Sequence, residues 1–276
     1  MTDVSSTSSE PGAAAGTGID TTVSHSARIW DYWLKGKDNY QVDREVGDRI
    51  EEMLPDIVRQ AREDRLFLGR VVRYLAGEAG VRQFLDIGTG LPTADNTHQV
   101  AQGVAPESKI VYVDNDPLVL AHARALLTST PEGVTDYIHA DMHDPETIIA
   151  GAGQTLDFGQ PIAITMLGVL WHVLDDDEAY AIVSRLMQAM PAGSYLALNH
   201  PTLEVTGEKM ATAIRYWNEY GTPPGTHRTP AQLARFFDGM DLIEPGVVSI
   251  TRWHPEATSS GDPEEIDQFG GVGRKP

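Results

Sequence analysis

The sequence contains no cysteine. That excludes disulfides, thiolate metal sites and any cysteine nucleophile, and it fits a reducing cytoplasm, the expected location. Long apolar runs are missing too. The longest, "PIAITMLGVLWHVL" from Pro161 to Leu174, falls short of the roughly 20 residues a membrane helix needs. It reads as a buried strand with the loop after it, so no membrane partner is expected. Basic residues are scarce: 21 Lys and Arg stand against 40 Asp and Glu, a formal charge of -19. Nucleic-acid affinity comes largely from neutralising phosphates, so no nucleic acid is expected as a partner. The N-terminal stretch "MTDVSSTSSEPGAAAGTGID" lacks a basic start and a long apolar segment, which argues against a secretory signal. Rich in Ser, Gly, Ala and Thr, residues 1–23 are expected to form a disordered tail.

What remains is an ordinary globular composition, 41% hydrophobic over 276 residues, enough for one large domain with an appendage. From Ser24 the apolar pattern is helical. "SHSARIWDYWLKGKDNY" puts Trp30, Trp33 and Leu34 on one face, with Gly36 as a stop. "DREVGDRIEEML" aligns Val46, Ile50, Met53 and Leu54. "DIVRQAREDRLFLGRVVRYLAGEAG" aligns Ile57, Ala61, Leu68, Val72 and Leu75. These helices, residues 24–80, read as a cap or lid on the domain that fills 81–276. In that domain, strand candidates at Gln83 to Ile87, Ile110 to Val113, Asp136 to His139, Pro161 to Leu167 and Tyr195 to Leu198 alternate with helical segments. Such alternation means an α/β fold with a parallel, doubly wound sheet. "GVVSITRW" and "DQFGGVGR", with no helix between them, predict a terminal antiparallel strand pair.

The first strand runs into "DIGTGLPT". In open α/β sheets, ligands bind beyond the carboxyl ends of the strands, and glycines let backbone approach them closely. The D-x-G-x-G pattern is complete in Asp86, Gly88 and Gly90. The third glycine of a dinucleotide fingerprint is replaced by Thr93, which argues against NAD. Pro92 is expected to open the following helix. Asp114, at the end of the second strand, suits a ribose diol and repels a 2'-phosphate. After the third strand, Asp141 suits an exocyclic amine and Met142 an adenine face. Leu167 and Gly168 close the pocket behind the fourth strand.

"FLDIGTG", "VYVDNDP", "HADM" and "PAGSYLALNH", in this order, resemble a class I S-adenosylmethionine-dependent methyltransferase. More narrowly, "SARIWDYWLKGKDNY", "QFLDIGTGLPTADNTHQVAQ", "RFFDGMDLIEPGVVSITRW" and "GGVGRKP" resemble an actinobacterial family of S-adenosyl methyltransferases, formerly domain of unknown function 574. The resemblance implies a Rossmann-like sheet of seven strands, mostly parallel with the last antiparallel, and S-adenosyl-L-methionine as cofactor. Gly88, Thr89 and Gly90 would hug its methionine part, Asp114 its ribose, and Asn115, Asp141 and Met142 its adenine. The polar "YWLKGKDNY", with Tyr32 and Asn39, is expected to fold over the cofactor and form part of the acceptor pocket.

The acceptor itself is left open. No [DN]-P-P-[FYW] run is present to hold a base amine, and no cysteine attacks a cytosine. The acidic runs "DMHD" and "DDDE" read as helix starts, so no metal is expected. Elimination leaves a small molecule. His172, in "LWHV", is the candidate base for an acceptor that must lose a proton, with His200 second. A non-catalytic sensor or partner protein that binds the same cofactor is the alternative reading.

Overall fold

The computed structural model describes residues 20–92, 94–126, 128–255 and 262–276; most of the expected tail lies outside them. Three helices come first, α1 (Ser26–Trp33), α2 (Gln41–Met53) and α3 (Ile57–Gly77). Then β1 (Gln83–Ile87), β2 (Lys109–Asp114), β3 (Val134–His139), β4 (Ala163–Leu167) and β5 (Tyr195–Pro201) alternate with α4 (Thr97–Val104), α5 (Pro117–Leu126), α6 (Pro145–Ala152) and α7 (Asp176–Ala189). The chain continues through α8 (Glu208–Tyr220), α9 (Pro230–Ala234), β6 (Asp241–Leu242), β7 (Val248–Ser249) and β8 (Gln268–Arg274).

The sheet has the order β3-β2-β1-β4-β5-β8-β6, with β7 also paired to β8. The first five strands are parallel, and β8 runs antiparallel to β5, β6 and β7. Eight strands are found among the described residues where seven were expected. The extra one is β6, Asp241–Leu242, which pairs with Arg274 and Gly273 of β8 ahead of the expected "GVVSITRW" strand. Of that run only Val248 and Ser249 pair, before the chain turns into a short 3-10 helix at Ile250–Arg252. Strand order reverses between β1 and β4, so their carboxyl ends diverge into a crevice.

Strand side chains alternate between two cores, as period-two geometry requires. Leu85, Val111, Ile164 and Leu196 pack with Ile148 of α6 and Ile182, Val183 and Leu186 of α7. Phe84, Ile110, Ala163 and Ala197 pack with Phe67, Val71, Val72 and Leu75 of α3. α3 therefore belongs to a sheet layer. α1 and α2 instead form a separate cluster with α8, through Ile29, Trp33, Val46, Ile50, Met210, Ile214 and Trp217. A buried ion pair joins α1 to α2, with Arg28 Nε 3.0 Å from the fully buried Asp43. Asp43 also accepts from the backbone N–H groups of His25 and Tyr40, so its charge is well compensated.

Two local expectations are corrected. Pro92 does not begin α4. That helix starts at Thr97, where Gln99 reaches back to the Asn96 N–H, and Pro92 sits in the irregular segment before it. α8 was not foreseen, although Met210, Ala213, Ile214 and Trp217 carry the i, i+3, i+4, i+7 spacing of a buried helix face. The acidic runs do start helices. Asp144 accepts from the Thr147 N–H at the head of α6, and Asp175 from the Glu178 N–H at the head of α7.

Candidate functional site

Beyond the carboxyl ends of β1, β2, β3 and β4 lies a cleft of about 320 Å³, within the range of small-molecule sites. Its floor is the turn after β1. Gly88 has φ +74°, and a Cβ there would stand 2.3 Å from Val169 Cγ2, so only glycine fits. The Gly88 N–H donates to the Val113 carbonyl, which moors the turn to β2. Just before it, Asp86 is buried and accepts from Thr97 and Thr165 hydroxyls at 2.6 and 2.8 Å. It thereby ties β1 to α4 and β4, and burial raises its carboxyl above the ordinary range.

Asp114 ends β2 facing this turn. It accepts from the Gly90 N–H at 3.0 Å and from the Asp116 N–H at 2.9 Å. Burial nevertheless pushes its carboxyl up. After β3, Asp141 accepts from Asn115 Nδ2 at 2.8 Å and from the His143 N–H at 2.9 Å. Burial works to raise the Asp141 carboxyl, but the hydrogen bonds from His143 and Asn115 outweigh it and hold the group below its usual range. Met142 and Leu167 complete this wall. The structure thus gathers Gly88, Thr89, Gly90, Asp114, Asn115, Asp141, Met142, Leu167 and His172 around one cleft.

Tyr32 and Asn39 are not among the lining residues. The Tyr32 hydroxyl turns to Asp48 of α2 at 2.6 Å. Asn39 stands one layer back and donates to Asp31 at 2.8 Å, beside the Asp38 N–H at 2.9 Å. Asp31 itself lines the cleft. Gly36 makes this cradle possible, because a Cβ there would fall 1.8 Å from Asp31 Oδ1. Gly36, Asp38 and Asn39 of the polar "KGKDN" turn are therefore gathered by one residue of α1, Asp31.

Sequence reasoning missed two charged groups. Asp64 and Arg65, on α3, face the cleft. Burial raises the Asp64 carboxyl to about 6 although the Asn199 amide donates to it. The Asn199 carbonyl in turn accepts from the Gly168 N–H at 2.6 Å and from Gln268 Nε2 at 3.1 Å. Arg65 reaches the Asp95 carbonyl at 3.2 Å, while its Nε is buried without a partner. A signal existed: Asp64 interrupts the apolar stripe between Ala61 and Leu68, where a charge is out of place unless it has a task.

His172 follows β4 in a short 3-10 turn, Leu170–His172. Its Nδ1 donates to the Pro224 carbonyl at 2.9 Å, so Nε2 accepts from the Ser26 hydroxyl at 3.1 Å. Burial lowers its pKa to about 4, so the ring is neutral throughout the physiological range. His200 is buried away from the cleft. Its Nε2 faces the Arg228 guanidinium at 2.7 Å, and burial lowers its pKa to about 3.

A family model described as S-adenosyl methyltransferase matches residues 12–276. The chain belongs to that family. A solved protein of the DUF574 family from Streptomyces avermitilis is 45% identical, covering 93% of this chain and 99% of that one with a TM-score of 0.89. Another, from Thermobifida fusca and proposed to be a methyltransferase, is 38% identical, covering 93% and 96% with a TM-score of 0.85. An O-methyltransferase family protein from Burkholderia thailandensis is 15% identical, covering 79% and 59% with a TM-score of 0.51, a likeness of fold alone. No match is found among curated proteins. The fold is the Rossmann-like methyltransferase fold, the cofactor is S-adenosyl-L-methionine, and the protein is a methyltransferase dependent on it. Among the described residues, no helix is long and apolar enough to cross a membrane.

Proposed function

We propose that the cleft holds S-adenosyl-L-methionine in one orientation and presents its methyl group to a small-molecule acceptor. The observation that carries this reading is the unpartnered Arg65 Nε next to Asp64, both of which line the cleft. A buried guanidinium donor without an acceptor is costly, and an amino-acid carboxylate satisfies it. Asp64 suits the neighbouring ammonium. Gly88, Thr89 and Gly90 allow close backbone approach, Asp114 accepts from the ribose diol, and Asn115, Asp141 and Met142 frame the adenine. α1, from Ser26 to Trp33, closes the side of the cleft and acts as its lid.

The bound cofactor supplies a methyl group already activated by a sulfonium. The protein's task is then mainly alignment, which contributes about 7–11 kcal/mol when reacting atoms are well placed. His172 is neutral and reaches the cleft through the Ser26 hydroxyl, so it takes a proton from a hydroxyl acceptor through that relay. With a pKa of about 4 it is a weak base, and its share of the rate is small.

Calorimetry tests the cofactor reading. S-adenosylmethionine and S-adenosylhomocysteine are expected to bind and NAD is not. Binding of NAD alone would sink it. Labelled methyl appearing in a small molecule of a cell extract, and not in its nucleic acid, supports the acceptor class; label in nucleic acid overturns it.

A further inference from the structure

A second, smaller pocket adjoins the cleft. Four of the chain's five tryptophans line it, Trp30, Trp33, Trp171 and Trp217, with aliphatic side chains from α2 and α8. It meets the cleft at Gly168 and Trp30, which line both. The 3-10 turn after β4 serves the two cavities with consecutive residues, Trp171 toward the small pocket and His172 toward the cleft.

We propose that this pocket seats the methyl acceptor, and that the acceptor is an uncharged, single-ring aromatic molecule bearing an oxygen that accepts a hydrogen bond from Gln60. The proposal rests on the cofactor reading given above. No charged residue is among the described lining residues, so an ionised acceptor would lose its hydration without compensation. The walls favour an aromatic guest. The Trp171 and Trp217 ring centroids are 4.9 Å apart at 56°, and those of Trp30 and Trp33 are 5.8 Å apart at 75°, the tilted and edge-on packing that aromatic faces prefer. Two of the indoles are anchored in advance, Trp217 Nε1 on the Pro223 carbonyl at 2.7 Å and Trp33 Nε1 on the Gly47 carbonyl at 3.3 Å.

Among the described lining residues, the polar side chains besides the indoles are Gln60 and Gln268. Gln268 Nε2 is already committed to Asn199. Gln60, on α3, is 3% exposed, and its Nε2 has no partner. A buried amide donor left open in an apolar pocket is a penalty that an oxygen acceptor removes. Size restricts the guest further. The cavity is about 50 Å³, against roughly 150 Å³ for a cavity that encloses benzene. It therefore takes part of one ring with the carbonyl end toward Gln60, the rest lying toward the cleft past Gly168, and no fused system.

The test is a titration of the intrinsic tryptophan fluorescence of the full chain, saturated with S-adenosylhomocysteine. The probes are 4-hydroxyacetophenone, 4-ethylphenol, which lacks the carbonyl, and the anion 4-hydroxyphenylacetate. Saturable quenching is expected with the first two and none with the anion. Gln60→Leu is expected to weaken 4-hydroxyacetophenone by up to about tenfold, the worth of one neutral hydrogen bond, while leaving 4-ethylphenol and S-adenosylhomocysteine unchanged. Failure of both neutral phenols to bind while S-adenosylhomocysteine binds overturns the acceptor pocket and spares the cofactor reading. Failure of S-adenosylhomocysteine itself overturns the reading beneath. Tighter binding of the anion, or equal weakening of both neutral phenols by Gln60→Leu, overturns the acceptor class assigned here.

Discussion

The large cleft is walled by strand ends, a glycine turn and carboxylates, whereas the small pocket beside it is walled by tryptophans and aliphatic side chains of helices. The first offers hydrogen bonds at many points along its length. Among its described lining residues, the second holds one buried side-chain donor without a partner, the Gln60 amide. The difference follows from how each is made. A parallel sheet with a reversal of strand order leaves backbone N–H groups and turn residues at the carboxyl ends, so polarity at that crevice comes with the topology. Helix faces packed against one another bury their apolar stripes, so a gap between them inherits an apolar lining. On the proposed reading, a polar, charged cofactor and a neutral aromatic acceptor are thereby sorted to adjoining sites whose described lining residues share Gly168 and Trp30.

The largest effect is expected at the wall the two sites share. Asp43 is fully buried and holds Arg28 of α1. Asp43→Ala strands that guanidinium, and urea denaturation is expected to show a loss of about 3–5 kcal/mol. Because Trp30 of α1 lines both cavities, cofactor and phenol affinity are both expected to fall. A variant as stable as the parent would mean that α1 is held by something else.

Asp114→Ala should separate the two sites. Losing two hydrogen bonds to a charged group, about 1.5–3 kcal/mol each, predicts roughly 100-fold weaker S-adenosylmethionine or more, read by calorimetry. The affinity of 4-ethylphenol should not move. If both ligands weaken in parallel, the two pockets are energetically one.

Protonation gives a smaller handle on the polar site alone. The Asp64 carboxyl is raised to about 6 by burial, and it must be ionised to accept an ammonium. Its charged form is present above that value and is lost as pH falls through it. Cofactor affinity is therefore expected to decline about tenfold per pH unit below 6, with the raised Asp114 adding to the fall. Asp64→Asn should flatten the bend near 6, while 4-ethylphenol binding stays level across the range.

The smallest effect is expected at His172. Its low basicity predicts that His172→Ala slows turnover by less than about tenfold. A loss of about 10²–10⁴, the usual worth of a general base, would show that the acceptor complex restores its basicity.

The two sites were also unequally visible in the sequence. Asp114 and Leu167 end their strands, and Gly88 and Asp141 follow theirs within two residues, so placing the strands places the residues. Arg65 and Asp64 stand on a helix that packs over those strand ends, and nothing local marks them except a charge within an apolar stripe. Tyr32 and Asn39 read as binding residues because they are polar beside tryptophans, yet their partners are Asp48 and Asp31. Short polar turns state that they need partners, but not which ones. α8 went unrecognised, and with it Trp217, so the small pocket had no visible second wall.

By itself the sequence determined the alternation of strands and helices, the glycine turn and the two strand-end carboxylates, because period-two and 3.6-residue patterns and tight turns are short-range properties of the chain. It also carried enough of these strings, in order, to resemble one methyltransferase family. Only the tertiary structure decided that α3 belongs to the sheet layer and not to the cap, that Asp64 meets Asn199 across 135 residues, and that Trp30, Trp171 and Trp217 converge beside Gly168. Those meetings depend on which helix face finds which partner. That choice is made by the packing of the whole chain and is written in no single segment of it.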